Sequence, residues 1–159
     1  MEDDSVRRVF SDVDLSALAS QETEPFRVVA RSQDKTYETV IDEGIHVQGD
    51  AAALSHLFSI LSDNALKYSG KDAQIRVELK RTQKCARLEF FNTCETLPEG
   101  DLGRLFDRFY RADTSRNRES GGFGIGLSMA RAIAESHGGR ISVRRDGDHG
   151  IRFITEIPF

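Results

Sequence analysis

The stretch GGFGIGLSMARAIAESH, residues 121–137, decides how the rest of the chain is read. Gly121, Gly122, Gly124 and Gly126 place four residues without a Cβ in six positions. The backbone there is open to positive φ, and another molecule can approach its amides closely. Behind them Ile125, Met129, Ala130, Ile133 and Ala134 recur at three- and four-residue steps, the spacing of one helix face, and Gly138-Gly139 supplies a C-cap. A glycine loop that feeds a helix N-terminus presents unpaired N–H groups and the positive end of the helix dipole, which suits an anionic ligand, phosphate above all. Alone, the same pattern fits a flexible turn before an ordinary packed helix. Its neighbours decide between the two.

Just upstream, residues 102–113 read as a short helix with Leu102, Leu105, Phe106 and Phe109 on its apolar face. Between Arg104 and Arg118 five arginines stand against Asp107 and Asp113, a local net of +3 in a chain whose overall net charge is -4. A solvated basic loop has this composition. So does a lid whose guanidinium groups meet phosphate oxygens.

Further upstream, Asp50 reads as the N-cap of a helix from Ala51 to about Tyr68. At 100° per residue Leu54, Leu57, Phe58, Leu61, Ala65 and Tyr68 share one stripe, which predicts the buried face. Asn64 falls on the rim of that stripe, with Lys67 beside it. Ile75–Lys80 and Ala86–Phe91 alternate apolar with polar and predict an antiparallel hairpin with one wet face. Residues 140–143 and 151–157 predict a final hairpin across Asp146-Gly147-Asp148-His149-Gly150. Phe26–Val29, Thr39–Ile41 and Ile45–Val47 read as strands, with a turn at Asp42-Glu43-Gly44. Residues 1–34 read as an N-terminal connecting segment with a short helix beginning at Leu15 and broken by Pro25; residues 35–159 read as one domain.

Composition sets bounds. A length of 159 residues suits a single core. The acidic balance argues against nucleic acid as a partner, and no apolar run approaches the ~20 residues of a membrane span. Cys85 and Cys94 lack paired spacing and are expected as reduced thiols in a cytoplasmic compartment. His46, His56, His137 and His149 are scattered and are expected at the surface or in caps.

Three stretches then fall into a known order. SDNALKYS (62–69) resembles the N box, LFDRFYRAD (105–113) the F box and GGFGIGLS (121–128) the G2 box of the ATP-binding catalytic domain of bacterial sensor histidine kinases. The resemblance runs from about Asp50 to the C-terminus. It implies an α+β fold of the GHKL type: a two-layer α/β sandwich with a mixed, mainly antiparallel sheet, helices on one face, and ATP under a mobile lid.

Carried over by position, the resemblance implies that Asn64 ligates Mg²⁺ beside the triphosphate, that Lys67 contacts phosphate and that Tyr68 packs near the nucleotide. Arg108 and Arg111 take lid positions. Gly122, Gly124, Ile125, Gly126 and Leu127 wrap the phosphate tail, and Asn92 stands near the base. These groups orient and neutralise a γ-phosphoryl group, which is most of what phosphoryl transfer asks of a protein.

Two departures bear on the base. Where the family has Asp-x-Gly-x-Gly, this chain has Asn92-Thr93-Cys94-Glu95-Thr96. An amide oxygen accepts from the adenine amino group without charge assistance, a loss of ~1 kcal/mol, or up to about tenfold in affinity. Arg152 stands before Phe153, where a small hydroxyl residue is usual, and is expected to disturb the same pocket. No histidine here is followed by an acidic residue, so the phospho-acceptor is expected on another domain.

The resemblance thus implies the ATP- and Mg²⁺-binding half of a two-component kinase. Its partners would be the dimerisation and histidine-phosphotransfer domain of the same protein and a response regulator. The parent would be a membrane-anchored homodimer with this domain in the cytoplasm. The alternative is a degenerate GHKL module with weakened nucleotide binding that serves as a regulatory or protein-interaction domain. Gyrase-type and chaperone ATPases and anti-sigma serine kinases fit less well, because they lack the LFDRFYRAD-like lid.

Overall fold

The computed structural model describes residues 9–107 and 126–159. In chain order the elements are β1 (Ser11–Asp14), α1 (Leu15–Ser32), β2 (Thr36–Ile41), β3 (His46–Gly49), α2 (Ala51–Tyr68), β4 (Gln74–Arg81) and β5 (Cys85–Thr93). A 3₁₀ turn (Leu102–Phe106), α3 (Gly126–Ser136), β6 (Arg140–Arg145) and β7 (Gly150–Pro158) are the remaining elements among the described residues. The main sheet has the order β2-β4-β5-β7-β6, with β2 parallel to β4 and the other neighbours antiparallel; β1 and β3 form a separate two-stranded ribbon.

Among the described residues the three helices cover one face of the main sheet. The alternation foreseen for β4 and β5 is obeyed: Ile75, Val77, Leu79, Ala86, Leu88 and Phe90 are buried, while Arg76, Glu78, Arg87 and Glu89 stand on the other side. Phe58 of α2 packs on Phe90 of β5, with ring centroids 6.4 Å apart, and Phe106 meets Phe153 of β7 edge-on at 5.9 Å. The sandwich and the mixed, mainly antiparallel sheet agree with the expected fold class.

Helix α2 has the bounds the sequence predicts. Asp50 caps it, its carboxylate accepting from the N–H groups of Ala52 (3.1 Å) and Ala53 (3.2 Å). Helix α3 ends as Gly138-Gly139 foretells, with Gly138 at φ 76° and the Gly139 N–H donating to the Ala134 carbonyl at 2.9 Å. A Cβ on Gly139 would fall 1.9 Å from the carbonyl oxygen of Glu156. No side chain fits where α3 turns into β6.

The N-terminal part differs from expectation. Phe26–Val29 is helical rather than extended, and α1 runs for 18 residues through Pro25. Leu15, Ala19, Thr23, Phe26 and Ala30 recur at helical steps, and their burial outweighs the missing N–H of Pro25 and the β-branched pair Val28-Val29. The turn at Gly44 (φ 76°) is present, but β2 and β3 do not pair across it. β2 joins β4 by a parallel crossover through α2, a non-local pairing that no local turn signal announces.

Candidate functional site

The C-terminal half of α2, the end of β5 and the start of α3 meet at one end of the sandwich. Asn64 is half-buried on α2, and among the described residues its side chain makes no hydrogen bond. Ile60, one turn earlier on the same face, touches the start of α3: a Cβ on Gly126 would lie 3.6 Å from Ile60 Cγ2. Leu127 is partly buried against the core next to it. The start of α3 therefore lies alongside α2 one turn before Asn64.

Lys67 is paired with Asp63 one turn back, Nζ to Oδ2 at 3.0 Å, with both side chains reaching solvent. Tyr68, expected on the buried stripe, is instead 42% exposed at the last residue of α2, so its ring is not committed to the core. Arg108, Arg111, Gly122, Gly124 and Ile125 lie outside the described residues, as do Phe109 and most of the basic cluster.

Asn92 sits on the inner face of β5, opposite Ile75 of β4 and Ile151 of β7, and is 2% exposed. Its Nδ2 donates to the carbonyl of Thr93 at 3.1 Å, while among the described residues Oδ1 has no partner. A buried amide with one side satisfied and an acceptor left open is poised to receive a donor from a ligand.

The same Thr93 carbonyl accepts from the Gly70 N–H at 3.3 Å, and Thr93 Oγ1 accepts from the Gln74 N–H at 3.0 Å. The end of β5 is thereby stapled to the segment that follows α2. Glu95 folds onto this junction, its Cγ 2.8 Å from where a Cβ on Gly70 would stand. Cys94 next to it is half-buried, and burial pushes its thiol pKa up, which makes it an inert thiol. Arg145 of β6 holds the loop onward, donating to the carbonyls of Pro98 (2.8 Å) and Gly100 (3.0 Å).

Arg152 does not enter the base pocket, contrary to expectation. The strand alternation sends it to the outer face of the sheet, opposite the helices. There its Nη1 donates to Glu89 at 2.8 Å, its Nη2 to Asp146 at 2.6 Å, and its guanidinium lies 5.1 Å from the Phe91 ring centroid. Desolvation opposes the charge, but the two carboxylates prevail and hold the guanidinium pKa above its usual value. The departure at Arg152 thus lies on the face of the sheet opposite the one that buries Asn92.

His137 was expected at the surface or in a cap; it is a cap, and a buried one. Its Nδ1 bonds the Ile133 carbonyl at 2.8 Å, its Nε2 accepts from the Asp50 N–H at 3.0 Å, and Phe10 stacks on its ring at 4.8 Å. A histidine set directly before a glycine pair that ends a helix was the available signal.

A metal ion at this site would find one well-suited donor, Asn64. Mg²⁺ takes neutral or anionic oxygens and keeps waters and phosphates as its other ligands, so an uncommitted, half-buried amide fits. Among the described residues no group of three or more His, Cys, Asp or Glu could hold a metal, and no helix is long and apolar enough to cross a membrane.

Residues 49–159 match the family model of histidine kinase-, DNA gyrase B-, and HSP90-like ATPases. The chain is 41% identical over 136 residues to a probable sensor protein, PcoS, of Escherichia coli, covering 86% of this chain and 29% of that protein. It is 33% identical over 146 residues to the signal transduction histidine-protein kinase BaeS of Escherichia coli K12, covering 92% of this chain and 31% of that one. The chain thus spans about a third of the length of these curated relatives. Among solved structures, the nucleotide-free catalytic domain of histidine kinase ThkA superposes with a TM-score of 0.80 at 25% identity, covering 94% of this chain and 95% of that one. The mycobacterial sensor histidine kinase MprB has the same fold, with a TM-score of 0.77 at 22% identity over 95% of this chain and all of that one. The chain belongs to the family of histidine kinase-, DNA gyrase B-, and HSP90-like ATPases.

Proposed function

We propose that this chain is the catalytic domain of a two-component sensor histidine kinase, which binds Mg·ATP and donates the γ-phosphoryl group to a histidine on a separate dimerisation domain. The observation that carries the reading is Asn92: a buried amide whose open Oδ1 stands at the strand end beside α2, where an adenine amino group has a donor to offer. Asn64 takes the metal and Lys67 the phosphates. Arg108 and Arg111 are the cations assigned to the phosphate oxygens, and the run from Gly122 to Leu127 is assigned the backbone N–H donors.

The protein's contribution is orientation and charge. Mg²⁺ supplies neutralisation of the phosphate oxygens when bound. The bond from the γ-phosphorus to the bridging oxygen breaks and ADP leaves, while a bond forms to an imidazole nitrogen of the acceptor, which gives up its proton. Lys67 can leave Asp63 for a phosphate at small loss, because exposed ion pairs contribute about 0–1 kcal/mol.

Names among the relatives support the wider setting. PcoS is by name a probable sensor protein and BaeS a signal transduction histidine-protein kinase, and ThkA has been solved in complex with a response regulator, TrrA. By analogy the phosphoryl group passes on to a response regulator. The parent is a membrane-anchored homodimer that holds this domain in the cytoplasm. The test mixes this domain with a separately prepared dimerisation domain and labelled ATP: label should appear on the dimerisation domain and none on this chain alone. Label on neither, with nucleotide bound, contradicts the transfer.

A second reading, a regulatory module with weakened nucleotide binding, draws on Asn92-Thr93-Cys94-Glu95-Thr96 in place of the acidic, glycine-containing motif. Thermal stabilisation separates the two, since a ligand at a hundred times its Kd adds about 2.7 kcal/mol.

A further inference from the structure

Lys35 lies in the turn between α1 and β2, where Asp34 takes a positive φ of 59° and the Lys35 N–H donates to the Ala30 carbonyl at 2.9 Å. Its side chain crosses to the last turn of α2. There Nζ donates to the Leu66 carbonyl (2.8 Å), the Ser69 hydroxyl (2.9 Å) and the Ser69 carbonyl (3.4 Å). Three ammonium donors meet three acceptors. Two of these are main-chain carbonyls at a helix C-terminus, where no intrahelical partner remains and the negative end of the dipole emerges. Burial, with no neighbouring carboxylate contributing, holds the lysine pKa below its ordinary value.

This helix end is the one that carries Asn64, Lys67 and Tyr68. An anionic ligand beside them faces the unfavourable pole of α2. We propose that Lys35 is a positioning residue for the nucleotide: it clamps the last turn of α2, and its charge offsets the negative helix terminus so that a polyphosphate can lie against Asn64 and Lys67. The proposal rests on the nucleotide site described above. A neutral donor could cap the carbonyls; only a cation also changes the potential a phosphate meets. The effect therefore scales with ligand charge, which a purely architectural cap would not produce.

The test compares wild type, Lys35→Met, Lys35→Gln and Lys35→Arg, with Asn64→Ala as the control for the site. Displacement of a fluorescent ATP analogue by Mg·ATP and by adenosine gives the two affinities, and thermal unfolding is followed alongside. Lys35→Met should weaken Mg·ATP about two- to fivefold, the size of a charge placed at a helix end, and leave adenosine unchanged; Lys35→Arg should restore the difference. Lys35→Gln, which keeps a donor, should behave as Lys35→Met and serves if the Met variant does not fold. Equal losses for Mg·ATP and adenosine, or none, while Asn64→Ala still weakens Mg·ATP, would overturn the role of Lys35 and leave the site standing. No effect of Asn64→Ala on Mg·ATP would remove the site itself and the proposal with it.

Discussion

The imidazole of His137, at the end of α3, accepts a hydrogen bond from the backbone N–H of Asp50, the residue that caps α2, at 3.0 Å. The start of α2 and the end of α3 are thereby tied together, at the end of α2 remote from Asn64. Gly49 is fitted to the same contact, since a Cβ there would come within 2.8 Å of the imidazole.

His137→Ala should therefore destabilise the domain by about 2 kcal/mol, because the Asp50 N–H and the Ile133 carbonyl both lose their partner and the Phe10 stack is removed. Urea unfolding measures this. An unchanged midpoint would show that the bridge contributes nothing.

Thr155 presents the reverse case. It is wholly buried between β5 and β6, and among the described residues its hydroxyl has no partner. Thr155→Val keeps the shape and removes the stranded group, so it should raise stability by about 1 kcal/mol. A loss in the same unfolding measurement would mean that the hydroxyl is satisfied.

The buried Tyr37 hydroxyl, 2.9 Å from Ser62 Oγ, joins β2 to α2. Burial raises its pKa from 10.0 to about 12, against smaller opposing effects from the Ser62 hydrogen bond and Arg27. The folded state thus holds a proton that the unfolded chain gives up. The sign follows: the contribution is complete below pH 10 and is lost as pH climbs from 10 to about 12. Tyr37→Phe should flatten this alkaline decline and remove the latest step from the tyrosinate absorbance titration. A decline of equal slope in the variant would locate the effect elsewhere.

How much of this was legible in the sequence depends on range. Asp50, the stripe from Leu54 to Ala65 and the Gly138-Gly139 stop are local signals, and α2 and α3 follow them, while Tyr68 and Met129, expected on the buried faces, are exposed because each lies near a helix end with nothing described packed over it. The hairpins announce themselves by alternation. Pro25 hid α1, because a rule about one residue spoke louder there than a four-residue periodicity with small members, Ala19 and Ala30. β1 was missed because only Val13 of its four residues is buried. Asn64 and Asn92 are candidates by motif position, whereas the bond from His137 to Asp50 spans 87 residues and that from Lys35 to Leu66 spans 31, separations across which no sequence pattern speaks.

Asn92→Asp tests the base pocket with two opposed readouts. A carboxylate should strengthen the bond to the adenine amino group and tighten Mg·ATP by up to about tenfold. It also turns an oxygen toward the Thr93 carbonyl, now 3.1 Å from the amide nitrogen, so the unliganded domain should lose about 1–2 kcal/mol. Equal nucleotide affinity in the two proteins would place the base elsewhere.

The account stands on Asn64, Asn92 and the start of α3 serving one ligand. Calorimetric titration of Mg·ATP into the wild-type domain and into Asn64→Ala tests this most directly. Saturable binding that depends on Mg²⁺ in the wild type, and loses that dependence in the variant, is the predicted result. No heat at millimolar nucleotide, or a variant that binds with the wild type's Mg²⁺ dependence, would contradict it.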